Sequence, residues 1–221
     1  MWYAKPLYGY LKESTEAIAN ATEMKNFLLS NNWTLNAICG MLGNVNEESS
    51  YNPWRWEYDW KYGEAAIMTK QFAYTYEGYD HGYGLFGLTP ANKYCSVECE
   101  AYTGYAPNFS DEAGNPSDGQ AQTYWLTQHP EQFNDPASYS PYPASQWTYN
   151  LYIRSTTDPK VLADVWMCNW EKPREDLAYS SRRDRQNTAE YWWEYFGGTP
   201  FPPVPPARSP KKFKWWMYLP R

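Results

Sequence analysis

A helix that is apolar along one face and carries a carboxylate in line with that face is a strong constraint on how a chain can fold. One such stretch runs from Thr34 to Ser50. Thr34 has the side chain of a good N-cap, and Ile38, Met41, Leu42 and Val45 then recur at spacings of three and four. Glu48 continues the series, three residues after Val45, seven after Met41 and ten after Ile38, whereas Glu47 is turned about 100° away. Burial and the negative end of the helix dipole both disfavour an ionised carboxyl at that place, so both raise its pKa. A carboxyl that keeps its proton near neutral pH suits donation to a leaving glycosidic oxygen. The competing reading is a charged residue at a frayed helix end, reaching solvent.

Other helices are expected over 14–30, where Ile18, Ala21, Met24, Phe27 and Leu28 share a face, and over 159–170, opened by Asp158 as cap and Pro159 in the first turn. Shorter ones are expected over 91–102 and over 118–128, the latter begun by Asp118, with a last helix over 180–196 stopped by Gly197 and Gly198. From Tyr51 to Pro90 the periodicity is lost amid glycine, tyrosine and tryptophan, which predicts turns, short strands and one helical stretch near 63–73. Residues 130–148 read as an ordered surface loop. No internal repeat is present.

Aromatic residues are in excess: 13 Trp, 22 Tyr and 8 Phe make up 19% of the 221 residues. Large rings bury much area each and suit a core, but rings beside short polar side chains also suit a glycan groove; composition alone leaves both open. The net charge of −6 offers no broad basic face for a phosphate backbone, so nucleic acid is not expected as a partner. No run approaches the roughly 18 apolar residues that cross a bilayer, so no membrane span is expected. Residues 1–16 lack a basic, apolar and cleavable leader pattern, which places the start of the product in the cytosol of its producer.

Metal and thiol chemistry find little support. Cys39, Cys95, Cys99 and Cys168 are scattered, and the Cys95/Cys99 spacing lacks the other ligands of a zinc site, so buried free thiols are expected. Asp111, Glu112 and Asp118 do not follow the spacing of a calcium-binding EF-hand loop. Cys39 with His81 is a poor candidate for a peptidase pair, and no cofactor or metal is expected.

Three motifs carry a resemblance. NAICGMLGNVNEESSYNPWRWE, from Asn36 to Glu57, resembles the catalytic helix of the phage tail lysozyme family, with Gly40, Met41, Leu42, Gly43, Asn44, Glu48, Ser49, Asn52 and Pro53 matching. Its ESxxNP core is similar to that of soluble lytic transglycosylases and goose-type lysozymes, where that Glu is the acid. GYGLFGLTP, from Gly82 to Pro90, resembles the family's GYGLvQWTP, with Gly87 and Leu88 standing where the family has Gln and Trp. WEKP and RQNTAEYWW, within Trp170 to Trp193, are similar to its C-terminal pattern.

The resemblance implies an α+β, mainly helical, lysozyme-like domain over 1–198, whose catalytic helix ends beside a small irregular β-sheet. It further implies a phage enzyme of the virion tail that cleaves the β-1,4 glycosidic bonds of peptidoglycan in the host wall, with Glu48 as proton donor. Trp54, Trp56, Tyr83 and Phe86 are expected to hold the glycan, with Gly82, Gly84 and Leu85 at its approach, and Asn44, Ser49 and Asn52 to orient Glu48 or substrate. The second carboxylate stays open among Glu57, Asp59, Glu64, Glu77 and Asp80, with Glu57 favoured because it follows the matched NPWRW stretch; a lytic transglycosylase needs none of them. Glu171 reads as structural, pairing with Arg174, Arg182 or a helix N-terminus. Residues 199–221 join a linker with six prolines between 200 and 210 to the basic, aromatic KKFKWWMYLPR, which suits docking onto a phage tail protein.

Overall fold

The computed structural model describes residues 1–5, 8–56, 82–89, 117–133, 146–173 and 175–198. Six α-helices lie in this part: α1 (Thr15–Ser30), α2 (Leu35–Ser49), α3 (Ser117–Gln128), α4 (Tyr149–Ile153), α5 (Pro159–Trp166) and α6 (Glu175–Tyr195). A 3₁₀ turn, Pro130–Phe133, follows α3, and a π-helical turn, Met167–Glu171, continues α5.

The caps form where their residue types predict. Ser14 Oγ accepts from Ala17 N–H at 3.2 Å, Thr34 Oγ1 from Ala37 N–H at 3.2 Å, and Asp158 Oδ1 from Lys160 N–H at 2.8 Å. Asp118, expected as a cap, instead lies inside the first turn of α3, which begins at Ser117. The expected loop over 130–148 includes the 3₁₀ turn, and α6 starts five residues earlier than glycine and apolar spacing indicate.

Helix α2 is the centre of the fold and packs chiefly against α5 and α6. Two of its glycines make that possible. A Cβ on Gly40 would stand 2.7 Å from Leu162 Cβ in α5, and one on Gly43 would stand 2.3 Å from the Arg185 carbonyl oxygen in α6. Their bare faces let two helices approach one, and Ile38, Met41, Leu42 and Val45 are all sealed in the core that results.

No strand occurs among the described residues, so the expected small sheet is not seen there. Two isolated antiparallel bridges, Trp56 with Tyr83 and Tyr83 with Leu88, are what the described residues contain. The aromatic excess resolves largely into core. Trp54, Trp125, Trp166 and Trp192 are essentially fully buried, and Trp166 stacks on Trp170 with ring centroids 5.0 Å apart. Such rings supply much of the apolar area that drives folding. Among the described residues no helix is long and apolar enough to cross a membrane.

Candidate active site at the end of α2

Asn44 and Glu48 are four residues apart and share a face of α2. Because Gly43 brings the backbone of α6 into contact, the Arg185 side chain reaches along that face. Its Nη1 donates to Asn44 Oδ1 at 2.7 Å, its Nη2 to Glu48 Oε1 at 2.7 Å, and its Nε to Ser181 Oγ at 3.1 Å. Asn44 Nδ2 in turn donates to the carbonyls of Gly40 and Ala163, each at 3.0 Å, so one amide joins α2, α5 and the guanidinium. The Arg185 side chain is only 6% exposed and that of Glu48 23%. Burial alone would lower the arginine pKa, but the nearby Glu48 and Glu171 carboxylates outweigh it and raise it.

The register of α6 that places Arg185 is fixed by a second polar contact. Buried Asp164 of α5 accepts from Arg182 Nε at 3.1 Å, Arg182 Nη2 at 2.9 Å and Gln186 Nε2 at 2.6 Å. A forked arginine on a carboxylate resists both rotation and sliding of the helix.

Across from Glu48 stands the turn 82–89. Tyr83 and Leu88 exchange backbone hydrogen bonds of 3.1 and 2.9 Å, which closes the turn. Buried Gln122 of α3 fastens it: its Oε1 accepts from Leu85 N–H at 2.7 Å and its Nε2 donates to the Pro53 carbonyl at 2.7 Å. Gly87 has φ +56°, and a Cβ there would lie 2.7 Å from Glu48 Oε2. One of the two positions that depart from the family pattern, Gly87, thus faces the carboxylate, and its missing side chain leaves Oε2 room.

Gly87 also lines a cleft of about 190 Å³, together with Thr89, Gln132, Trp170 and Glu171. Glu171 Oε1 accepts from the Trp166 indole N–H at 2.9 Å, and the carboxyl interacts with both Glu48 and Arg185. Burial first, and then the Glu48 charge, hold its pKa well above the ordinary carboxylate range, against the opposing pull of Arg185. Two expectations change here. Glu48 does not stand isolated on an apolar face; it has an arginine partner. Glu171 does not pair with Arg182, whose described partner is Asp164; it belongs to the same electrostatic cluster as Glu48. Arg174 lies outside the described residues.

The remaining expected site residues are placed as follows. Ser49 is buried, donating to the Val45 carbonyl at 3.1 Å and to that of Leu85 at 3.4 Å. Asn52 is buried and ties the N-terminal segment down, donating to the carbonyls of Lys5 and Tyr8 at 2.9 and 2.7 Å. Asn44 is one bond removed from Glu48, acting on it through Arg185. Trp54, Tyr83 and Leu85 are buried, with exposures of 0%, and Trp56 nearly so, which leaves these three rings without the open faces expected of a glycan platform; Phe86, 1% exposed, lines the cleft beside Gly87. The space beside Gly84 is filled by the Gln122 amide and that beside Gly82 by the Gly87 backbone. Glu57, Asp59, Glu64, Glu77, Asp80, His81, Cys95, Cys99, Asp111, Glu112 and the segment 199–221 lie outside the described residues. Cys39 and Cys168 are buried, with burial raising the Cys39 thiol. Among the described residues no three His, Cys, Asp or Glu side chains gather to hold a metal.

Arg185 and Gln122 are contacts of the candidate site that sequence reasoning did not single out, and Glu171, which it read as structural, lines the cleft beside Gly87. A signal existed for two of them, since Glu171 and Arg185 flank or fall within the WEKP and RQNTAEYWW motifs.

Sequence comparison shows what the chain is similar to. The sequence model described as Phage tail lysozyme matches residues 19–196, which include α2, the turn 82–89 and all of α6. Over 202 residues the chain is 29% identical to Morphogenesis protein 1 of Bacillus phage B103, covering 90% of this chain and 44% of that protein. The chain therefore spans less than half the length of that relative. With the ESxxNP helix, the glycine turn against its carboxylate and the C-terminal helix all in the family's order, this chain belongs to the phage tail lysozyme family.

Proposed function

We propose that this chain cleaves the β-1,4 glycosidic bonds of bacterial peptidoglycan, with Glu48 as general acid, as a tail-associated component of a phage virion that opens the host wall at infection. One observation carries the reading: Glu48 is held at the end of the central helix with Oε1 on Arg185 and Oε2 facing the bare Gly87. Oε2 is then the oxygen that bears the transferable proton. Donation to the glycosidic oxygen breaks its bond to C1, and positive charge develops on the sugar ring beside the carboxylate left behind. Water, or a hydroxyl of the same sugar with assistance from its acetamido group, then bonds to C1 and loses its proton, completing the reaction. Glu57 remains the favoured second carboxylate from its place after NPWRW.

Loss of turbidity of purified peptidoglycan, with product mass spectrometry, tests this. Hydrolysed muropeptides indicate a lysozyme and anhydro-sugars a lytic transglycosylase; an inert wall at every pH, with the protein folded, sinks the proposal.

A second reading has its own support. Gly87 and Leu88 replace the family's Gln and Trp, and the aromatic residues of the turn are buried. These features favour a structural tail component with a lysozyme-like, glycan-binding fold and little activity. A released endolysin is a third role of the same chemistry. Docking onto phage tail proteins through 199–221 rests on the proline-rich linker and basic aromatic end alone. Deleting 207–221 tests it, since cleavage of solubilised glycan is retained and incorporation into virions lost if the segment docks.

A further inference from the structure

We propose that Gln122 is a positioning residue of this site: its side-chain amide, fixed between the loop after α2 and the turn 82–89, holds Gly87 in register with Glu48 Oε2. The inference rests on the assignment of Glu48 as the reacting acid, on which Gln122 acts through the turn.

The contacts form a closed circuit. Gln122 Oε1 accepts from Leu85 N–H at 2.7 Å, and the Leu85 carbonyl accepts from Ser49 Oγ at 3.4 Å. Ser49 runs on through four residues of chain to Pro53, whose carbonyl accepts from Gln122 Nε2 at 2.7 Å. Leu85 is therefore held on one side by the residue that follows Glu48 and on the other by α3. Gly87 N–H donates to the Gly84 carbonyl at 3.3 Å, so a shift at Leu85 passes along the turn to the backbone opposite Oε2.

Glycine lets the amide approach this closely. Gly84 has φ +74°, and a Cβ there would stand 2.5 Å from Gln122 Oε1 and 2.8 Å from its Nε2. The turn thus presents one bare residue to Gln122 and another, Gly87, to Glu48. Helix α3 is in turn keyed to the cleft: Trp125 meets Trp170 edge-on with centroids 6.3 Å apart, and Trp170 meets Phe86 in the same way at 6.4 Å.

The chemistry of the position is specific to a group that accepts and donates at once. Leu85 N–H can only donate and the Pro53 carbonyl only accept, which fixes the orientation of the amide. A carboxylate lacks the donor, and a thioether has no donor and only a weak acceptor. Gln122 is fully buried, so either loss leaves a buried backbone group unpaired.

The test compares the native full chain with Gln122→Met and Gln122→Glu by amide hydrogen exchange and by turnover on peptidoglycan. In Gln122→Met the amides of Gly84 and Leu88, which donate to Arg55 and Tyr83 rather than to Gln122, should exchange roughly tenfold faster while those of α2 stay protected. Turnover per folded molecule should fall about 10²-fold with KM nearly unchanged, as expected for a reacting group misplaced by about 1 Å. Tyr152→Phe removes a buried hydrogen bond to the Ala37 carbonyl, near the opposite end of α2, and should lower stability while keeping kcat. Gln122→Glu preserves the test if Gln122→Met does not fold. Its protonated carboxyl accepts and donates as the amide does, so protection and rate, each relative to the native protein at the same pH, should match at low pH and be lost as the carboxyl ionises. Turn amides as protected in Gln122→Met as in the native chain, a kcat that falls no further than in Tyr152→Phe, or a Gln122→Glu variant indifferent to pH overturns the proposal. Because exchange needs no activity, an inert native protein whose turn loosens in Gln122→Met rejects the glycosidase reading alone, and an active one whose kcat survives Gln122→Met rejects this inference alone.

Discussion

Arg185 Nη2 and Glu48 Oε1 meet at 2.7 Å across 137 residues of sequence, joining the last helix to the end of the central one. The contact is part of the packing and part of the candidate site at once. It exists because Gly43 lets the α6 backbone approach α2, and because Asn44 holds the guanidinium's other arm.

Glu48→Gln is expected to abolish wall cleavage with the fold intact. The amide oxygen still accepts from Arg185, but the group has no acidic proton to give, and general acid catalysis is worth about 10² to 10⁴ in rate. Glu47 accepts from Asn46 Nδ2 at 3.1 Å and does not reach Arg185 by a hydrogen bond. Glu47→Gln should therefore retain activity in a turbidity assay; the reverse pattern would refute the assignment.

Gly43→Ala should damage stability and site together. The added methyl would stand 2.3 Å from the Arg185 carbonyl oxygen, a backbone atom that moves only if α6 moves. Overpacking of this kind costs roughly 1 to 3 kcal/mol. A drop of that size in urea unfolding, accompanied by slower cleavage per folded molecule, is the expected outcome.

Gly87→Ala separates the two effects. A non-glycine residue in the left-handed region costs roughly 1 to 2 kcal/mol, while the new Cβ, 2.7 Å from Glu48 Oε2, displaces the end of a flexible side chain. Misplacement of a reacting group by about 1 Å can cost 10² in rate. Rate should thus fall further than stability does; equal losses would mean that Oε2 is not the reacting oxygen.

Glu171 gives stability a pH dependence of definite sign. Its pKa in the folded chain lies above the ordinary value of 4.5, so the native state binds more protons than the unfolded one. Its contribution is full below the unfolded pKa and is lost as pH rises through the folded value. Melting temperatures of the native protein and Glu171→Gln should diverge in favour of the variant as pH rises above about 4.5. A constant difference from pH 4 to 9 would contradict the raised pKa.

The sequence by itself determined the local structure of this protein. Ser14, Thr34 and Asp158 cap the helices they precede, the face of α2 is buried as its spacing requires, and Glu48 lies at its end. Each of these follows from interactions within three or four residues, which periodicity and residue type encode directly. Family motifs added the order of the parts, which no single helix contains. Tertiary structure alone decided what Glu48 meets. Arg185, Gln122 and Glu171 act across the fold through single hydrogen bonds and charges, and an isolated polar contact leaves no repeating pattern in the chain. The same holds for the rings: Trp54, Tyr83 and Phe86 are as consistent with a sugar platform as with a core until the surrounding helices close over them. Burial is a property of the packed whole, whereas helical spacing is a property of the chain.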